Sequence, residues 1–186
     1  MKAWLRKELF AKRKAAHAER AAKDPAANAR LLAEIGDSAG KIVAAYRPIR
    51  TEVDPTEAMI ALCEAGARVT VPVIDGEARP LIFREWTPEV EMVDGPFGAK
   101  VPASGEDLRP NIIIAPLLGW DRKGWRLGYG GGFYDRSLEA LRKHQDVRAI
   151  GFGYAAQECG EVPVEKTDQQ LDAMVTEAET IIFEAS

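Results

Sequence analysis

The chain has 186 residues, of which 46% are hydrophobic and 29% are charged, a composition typical of one compact globular domain. Its 25 Lys and Arg against 29 Asp and Glu give a formal charge of -4, which argues against general attraction to polyanions and so against a nucleic-acid partner. The two cysteines, Cys63 and Cys159, have no zinc-binding spacing, and no window approaches the ~20 apolar residues of a bilayer span. We therefore expect a single domain over residues 1–186 that is cytoplasmic and monomeric, with no membrane partner.

The N-terminal part of the chain predicts two helices. Residues 2 to about 22 are mostly Ala, Leu, Lys, Arg and Glu, which are strong helix formers. The pair Asp24 and Pro25 then has the form of an N-cap followed by proline at the first helical position. This second helix is expected to end near Gly36 or Gly40. The two helices would precede the main body of the fold.

From residue 41 onward, short β-type runs alternate with helix and turn signals. The runs are 41–46, 68–74, 80–84, 111–115, 148–154 and 180–183. A helix that opens at Asp54 and Pro55 lies between the first two runs, and another over 133–143 lies between the fourth and fifth. Two βαβ units with parallel strands follow from this order. The sequence therefore predicts a three-layer α/β fold with a mostly parallel sheet flanked by helices, crossed by a proline-rich loop over 88–110.

Glycines gather between the fourth strand and its following helix. Six of the 16 glycines of the chain lie between Gly119 and Gly132. In open α/β sheets, ligands bind outside the carboxyl ends of the strands. Glycine lets backbone amides approach an anion, and a helix N-terminus behind them adds a favourable field. The segment predicts a phosphate site, although a tight strand-to-helix turn alone would also explain the glycines. It is not a Walker A loop, because Phe133 and Tyr134 follow the last glycine.

The segment from Asp121 to Arg136 reads Asp-x-x-Gly-x-Arg-Leu-Gly-Tyr-Gly-Gly-Gly-Phe-Tyr-Asp-Arg, and it closely resembles the signature of 5-formyltetrahydrofolate cyclo-ligases, also called methenyltetrahydrofolate synthetases. Weaker matches extend the resemblance over most of the chain. They are Lys-x-x-Leu-Arg at 2–6, Tyr-x-x-x-x-x-Glu-Val at 46–53, Val-x-Val-Pro-Val at 69–73, Trp86, and Val-Pro-x-x-x-x-Asp at 162–168.

The resemblance implies an ATP- and Mg²⁺-dependent enzyme that converts a reduced folate, 5-formyltetrahydrofolate, to 5,10-methenyltetrahydrofolate with release of ADP and phosphate. Phosphorylation of the formyl oxygen would make it a good leaving group for attack by N10. The protein then mainly positions its substrates and stabilises charge. Two alternatives stay open: a non-catalytic folate- or nucleotide-binding module on the same fold, and an enzyme acting on a sugar phosphate or a CoA ester.

The resemblance also implies the residues of the nucleotide end. ATP would be bound by Lys2, Arg6, Arg126, Gly128, Gly130, Gly131, Gly132 and Tyr134. Arg126 and Asp135 would be catalytic, and Asp135 with Asp168 would hold Mg²⁺. Lys2 and Arg6 stand four residues apart and so share one helix face, where an anion would relieve their repulsion. A solvated basic face, an ordinary first-turn acid and an ordinary loop aspartate are the competing interpretations of these positions.

The substrate end is expected at Glu52, Tyr129 and Phe133. Glu52 follows the first strand, and its carboxylate could accept hydrogen bonds from the pterin ring or cap the next helix. The rings of Tyr129 and Phe133 could stack on the folate or pack the loop onto the core. Asp121 is expected to hold the turn before Gly124.

Three positions depart from the family pattern. These are Arg47, where an apolar residue near the folate is common, Val101, where Glu precedes the proline, and Asn111, where Asp opens the strand. These departures are expected to affect the fit of the substrate more than the binding of phosphate.

Overall fold

A computed structural model describes residues 2–20 and 24–186 of the chain. The helices are α1 (Lys2–Glu19), α2 (Pro25–Ile35), α3 (Thr56–Glu64) and α4 (Phe133–Arg142). The strands are β1 (Ile42–Ala44), β2 (Arg68–Val73), β3 (Ile82–Trp86), β4 (Met92–Asp94), β5 (Lys100–Pro102), β6 (Ile112–Ala115), β7 (Gly119–Trp120), β8 (Arg126–Leu127), β9 (Arg148–Phe152), β10 (Ala173–Val175) and β11 (Thr180–Ile182).

Local signals set the helix ends. The predicted N-cap is confirmed, because Oδ1 of Asp24 accepts a hydrogen bond from the amide of Ala27 at 3.1 Å. Gly36 ends α2 with a φ of 68°, a conformation that favours glycine. At α3, Oδ1 of Asp54 accepts from the amide of Thr56 at 2.9 Å. The predicted extension of α1 to about residue 22 reaches residues 21–23, which lie outside the described ranges.

A seven-stranded sheet forms the centre of the fold, in the order β11-β10-β9-β6-β1-β2-β3. The five inner strands run parallel, and the edge strands β3 and β11 run antiparallel to their neighbours. Both predicted βαβ units are confirmed, since β1 pairs in parallel with β2 and β6 pairs in parallel with β9. The predicted α/β class with a mostly parallel sheet is therefore confirmed.

Alternating side chains of the strands build two hydrophobic layers. In β6, Ile112 and Ile114 pack on one face with α2 and α3. Ile113 and Ala115 point to the other face, where Leu138 of α4 covers them. Each such fully buried aliphatic side chain contributes about 1.5 to 3 kcal/mol through removal from water. Helices on both faces of the sheet give the predicted three layers.

Helix α1 packs on the glycine-rich segment through Leu9, while its Ala16 joins the core cluster on one face of the large sheet. Its Leu9 is fully buried against Leu118, Leu127 and Val162. Gly119 allows this approach, because a Cβ atom at that position would overlap the side chain of Leu9. The packing fixes the inner face of α1 beside the carboxyl end of β6.

The structure corrects the sequence-based assignment in three places. The segment 88–110, predicted as loop, contains β4 and β5, which pair as an antiparallel ribbon. The strand predicted over 80–84 lies at β3, two residues further along. The inner strand β10 was not predicted, because three residues carry too little periodicity. Within residues 2–20 and 24–186, every helix is too short or too polar to span a bilayer.

Candidate active site

A cleft of about 540 Å³ opens where the chain leaves β1 and β6, beside the N-termini of α1 and α4. Every site residue expected from the sequence lines this cleft: Lys2, Arg6, Glu52, Arg126, Gly128, Tyr129, Gly130, Gly131, Gly132, Phe133, Tyr134, Asp135 and Asp168. The structure thus brings together residues from four separate segments of the chain. Their individual roles stay predictions.

The glycine loop, defined here as residues 128–132, presents unused hydrogen-bond donors. The backbone N–H groups of residues 128–135 donate to no other residue that the structure describes, and the first helical bond of α4 runs from Arg136 to the carbonyl of Gly132 at 3.0 Å. Gly130 and Gly132 have φ values of 101° and 68°. A Cβ at Gly131 would lie 2.8 Å from the ring of Phe133. With the positive end of the α4 dipole behind them, these amides can hold an anion.

Three cations line the same end of the cleft. The guanidinium of Arg6 donates to the carbonyl oxygen of Gly128 at 3.0 Å, which ties α1 to the glycine loop. Nζ of Lys2 donates to Glu165 at 2.7 Å. The side chain of Arg126 is only 5% exposed, and its Nε has no partner among the described residues. The cleft location of Lys2 and Arg6 favours ligand binding over the alternative of a solvated basic face.

Two carboxylates face these cations, and each has an oxygen to spare. Oδ1 of Asp135 accepts from Arg126 at 2.8 Å and from the amide of Gln169 at 2.9 Å. Oδ2 of Asp168 accepts from the amide of Glu165 at 2.8 Å. The second oxygen of each carboxylate accepts no hydrogen bond from the described chain. Mg²⁺ commonly binds one or two carboxylates together with phosphate oxygens and water. Within residues 2–20 and 24–186, no three His, Cys, Asp or Glu side chains gather into a metal site.

Asp121, by contrast, is occupied by its own turn. Its Oδ1 accepts from the amides of Lys123 and Trp125 at 2.9 and 3.1 Å, and its Oδ2 accepts from the amide of Val162 at 2.9 Å. The side chain is buried and does not line the cleft. The predicted turn role is confirmed.

The other end of the cleft holds a buried carboxylate. Glu52 is 4% exposed, and its two oxygens accept from the hydroxyl of Tyr129 at 2.5 Å and from the amide of Ile49 at 2.9 Å. Burial raises the pKa of Glu52, and the hydrogen bonds from Tyr129 and Ile49 oppose that rise. The alternative role as a helix cap is wrong, because neither oxygen of Glu52 accepts from α3, whereas Oδ1 of Asp54 accepts from the amide of Thr56.

Arg13, which lies behind this carboxylate, was not predicted from the sequence. Arg13 is completely buried in α1, and its Nη1 donates to the hydroxyl of Tyr129 at 2.5 Å. Its Nε donates to the hydroxyl of Thr51 at 3.0 Å. The signal was available, because Arg13 follows Arg6 by seven residues and so falls on the same helix face, two turns further along.

The aromatic residues of the glycine segment pack on the protein and also line the cleft. Tyr129 is 47% exposed in the cleft, and its ring centroid lies 5.7 Å from that of Phe10. Phe133 lines the cleft and also packs on the core cluster that contains Leu138. Each ring therefore has one face against the protein and a surface left for a ligand.

The three departures from the family pattern fall in different surroundings. Arg47 lines the cleft, donates to the hydroxyl of Thr56 at 2.9 Å and has its guanidinium 5.8 Å from the ring centre of Trp86. Val101 also lines the cleft. Asn111 does not, and its Oδ1 accepts from the amide of Ile42 at 3.0 Å. Only the first two can affect which ligand fits.

The fold and the cleft define an α/β protein in which a glycine loop with unused amide donors and a buried carboxylate line one cleft. Comparison with known proteins gives the particular family. The model of the 5-formyltetrahydrofolate cyclo-ligase family matches residues 1–177, and the chain therefore belongs to this family. The predicted family and enzyme class are confirmed.

Individual relatives agree with this assignment. The chain is 34% identical over 140 residues to the 5-formyltetrahydrofolate cyclo-ligase of Escherichia coli K12, covering 72% of this chain and 76% of that protein. It is 27% identical over 179 residues to the cyclo-ligase of Mycoplasma pneumoniae, covering 93% and 96%. The solved structure of a 5,10-methenyltetrahydrofolate synthetase from Aquifex aeolicus is similar with a TM-score of 0.80 and 26% identity, covering 100% of this chain and 94% of that one.

Proposed function

We propose that this cleft converts 5-formyltetrahydrofolate to 5,10-methenyltetrahydrofolate, with consumption of ATP and release of ADP and phosphate. The observation that carries the proposal is the arrangement of one cleft, in which the unpartnered amides of residues 128–135 stand at one end and buried Glu52 at the other. One end suits a phosphate chain and the other suits a flat, N–H-rich ring. Membership of the cyclo-ligase family supports the same assignment.

The nucleotide end would bind the triphosphate of ATP. Amides of the glycine loop donate to phosphate oxygens, and Lys2, Arg6 and Arg126 supply positive charge. The ring of Tyr134 lies against Arg126, with 5.8 Å between the guanidinium carbon and the ring centre, and so helps to hold that cation in place.

Asp135 and Asp168 are the residues that would hold Mg²⁺, through the oxygens that the described chain leaves without a hydrogen bond. When bound, the ion would neutralise charge on the phosphate oxygens. Asp135 has a second task in this proposal, because its hydrogen bond to Arg126 fixes that guanidinium at the edge of the glycine loop.

Arg126 and the loop amides would stabilise charge while the γ-phosphoryl group passes from ATP to the formyl oxygen of the substrate. The phosphorylated oxygen is then a good leaving group, N10 of the folate attacks the formyl carbon, and phosphate departs. The chain forms no covalent bond in this sequence. Its contribution is to place the formyl oxygen in line with the γ-phosphoryl group and to supply fixed dipoles where negative charge develops.

Glu52, Tyr129 and Phe133 would bind the reduced folate. A carboxylate has about four acceptor positions, so Glu52 can accept from pterin N–H groups while it keeps its bonds to Tyr129 and Ile49. The exposed ring surfaces of Tyr129 and Phe133 can stack on the pterin or the aminobenzoyl group.

The test is an absorbance assay on the purified protein with Mg-ATP and 5-formyltetrahydrofolate. We expect the near-ultraviolet absorbance of the methenyl product, with one ADP formed per product, and no product without ATP or with EDTA. Folded protein at high concentration that gives no product contradicts the proposal. Folate binding in calorimetry without ATP consumption would instead support the non-catalytic binding module. This outcome is tested because Arg47 and Val101, which depart from the family pattern, line the cleft.

The remaining expectations concern the setting of the protein. Its cytoplasmic location, its monomeric state and the absence of nucleic-acid and membrane partners stay predictions from the sequence.

A further inference from the structure

Arg13 is a buried cation that does not reach the cleft. It is 0% exposed, and the described hydrogen-bond partners of its guanidinium are two hydroxyls and a carbonyl, with no carboxylate among them. Burial of an unpaired charge costs several kcal/mol, so the surrounding groups must compensate for it. Among the described residues, the guanidinium contacts the Thr51 hydroxyl, the Leu117 carbonyl, and the rings of Phe10 and Tyr129 at 5.1 and 5.6 Å.

The strongest of these contacts begins a chain of hydrogen bonds with a fixed direction. A guanidinium can only donate and a carboxylate can only accept. The hydroxyl of Tyr129 lies 2.5 Å from Nη1 of Arg13 and 2.5 Å from Oε1 of Glu52. It must therefore accept from Arg13 and donate to Glu52. The positive charge of Arg13 and the negative charge of Glu52 therefore lie on the two sides of one hydroxyl group, which has a single orientation available.

Few contacts hold the side chain of Tyr129. Glycines flank it, and Arg6 and Arg136 anchor the carbonyls of Gly128 and Gly131 but not the ring. Among the described residues, the side chain has Arg13 and Glu52 as hydrogen-bond partners and Phe10 as an aromatic neighbour. The position of this ring, and with it one bond to Glu52, depends on Arg13.

We propose that Arg13 is a positioning residue for the folate substrate: from behind the cleft wall it fixes the hydroxyl of Tyr129, and through it the carboxylate of Glu52, in the orientation that receives the pterin. The inference rests on the proposed function, because it gives Glu52 a folate to bind. Arg13 has no contact with Lys2, Asp135 or Asp168, so its effect belongs to the folate end of the cleft and not to the nucleotide end.

The test compares Arg13→Met with Lys14→Met, which removes an exposed positive charge from the next position of the same helix. Calorimetry measures binding of 5-formyltetrahydrofolate and, separately, of a non-hydrolysable ATP analogue with Mg²⁺. We expect Arg13→Met to weaken folate binding at least tenfold and nucleotide binding less than twofold. Lys14→Met should change neither by more than twofold. Wild-type folate affinity in folded Arg13→Met, or equal loss of both ligands, overturns the inference.

A double-mutant cycle with Tyr129→Phe tests the route through the hydroxyl. In the Tyr129→Phe background, Arg13→Met should weaken folate binding by less than threefold, because the hydrogen bond that it removes is already gone. A full tenfold loss in both backgrounds overturns the route. Should Arg13→Met not fold, Arg13→Gln replaces it in the cycle with the same criteria. Wild-type protein that binds the nucleotide but no folate overturns the proposed function itself, whereas wild-type binding with an unaffected variant overturns only this inference.

Discussion

The two halves of the glycine-rich segment use their backbones in opposite ways. In the hairpin half, from Leu118 to Leu127, the amide of Leu118 donates to the carbonyl of Leu127 at 2.8 Å, and Asp121 accepts from three amides. In the loop half, the N–H groups of residues 128–135 donate to nothing in the described chain. Glycines are common in both halves. Binding capacity is therefore indicated by unused donors and not by glycine content.

Individual glycines of the two halves also differ in their surroundings. In the hairpin half, Gly124 has a φ of 87°, and a Cβ there would lie 2.8 Å from the ring of Phe183, so close packing requires glycine. In the glycine loop, Gly130 has a positive φ and nothing nearer to its would-be Cβ than Arg6 at 3.4 Å. Crowding therefore requires glycine at Gly124, whereas the positive φ favours it at Gly130; Gly131 of the same loop is crowded in turn, by the ring of Phe133.

The largest effect is expected from Asp135→Asn in the loop half. Asparagine keeps an oxygen that can accept from Arg126 and Gln169, so the fold should survive. The charge that would hold Mg²⁺ is lost, and kcat should fall about 100-fold or more. The absorbance assay measures turnover, and circular dichroism checks the fold. Turnover close to wild type would remove Asp135 from the metal and catalytic roles.

Asp121→Asn is the matched control in the hairpin half. It removes an oxygen that accepts from the buried amide of Val162, which costs about 1 to 3 kcal/mol of stability and lowers Tm by roughly 5 °C. Turnover at a temperature well below unfolding should stay within twofold of wild type. A loss of turnover in the folded variant would show that the hairpin half also contributes to catalysis.

Features that depend on neighbouring residues could be predicted from the sequence, whereas contacts between positions far apart in the chain could not. The cap at Asp24 and Pro25 is a signal of neighbouring residues, and it was predicted correctly. The bond between Glu52 and Tyr129 joins positions 77 apart, and that between Arg13 and Tyr129 joins positions 116 apart. No local pattern encodes such contacts. Resemblance to a family indicated Glu52, and the rings among the glycines indicated Tyr129, as substrate residues. Neither signal indicated Arg13, which lies behind the cleft wall.

A second comparison lies within the glycine loop itself. A Cβ at Gly131 would lie 2.8 Å from the ring of Phe133, whereas a Cβ at Gly128 would meet only Arg126, at an ordinary 3.6 Å. Gly131→Ala should therefore displace the ring and distort the amides, and it should raise the KM for ATP about tenfold, a loss near 1.4 kcal/mol. Gly128→Ala should leave that KM within twofold. Equal behaviour of the two variants would mean that the loop adapts, and that its amides are not a fixed anion site.

Tyr129 is the one residue of the glycine loop with a side chain, and its hydroxyl donates to Glu52. Because burial raises the pKa of Glu52, protonation should begin at a higher pH than for an exposed glutamate. The ionised form accepts pterin N–H groups, so affinity for 5-formyltetrahydrofolate should be complete above this pKa and decline several-fold as the pH falls through it. Calorimetry over the acid range measures the decline.

The titration of Glu52 should also affect folding stability, in the direction opposite to its effect on folate affinity. A raised pKa means that the native state holds the proton more tightly than the unfolded state, so the free energy of unfolding falls as the pH rises through the pKa of Glu52. Glu52→Gln cannot titrate, and it should lose both this contribution to stability and the acid decline in folate affinity. Titration of the ligand itself is common to both proteins and cancels in their comparison. If Glu52→Gln keeps the wild-type pH dependence of folate binding, the carboxylate is not the group that receives the pterin. The hydrogen bond between Tyr129 and Glu52 would then have no part in folate recognition.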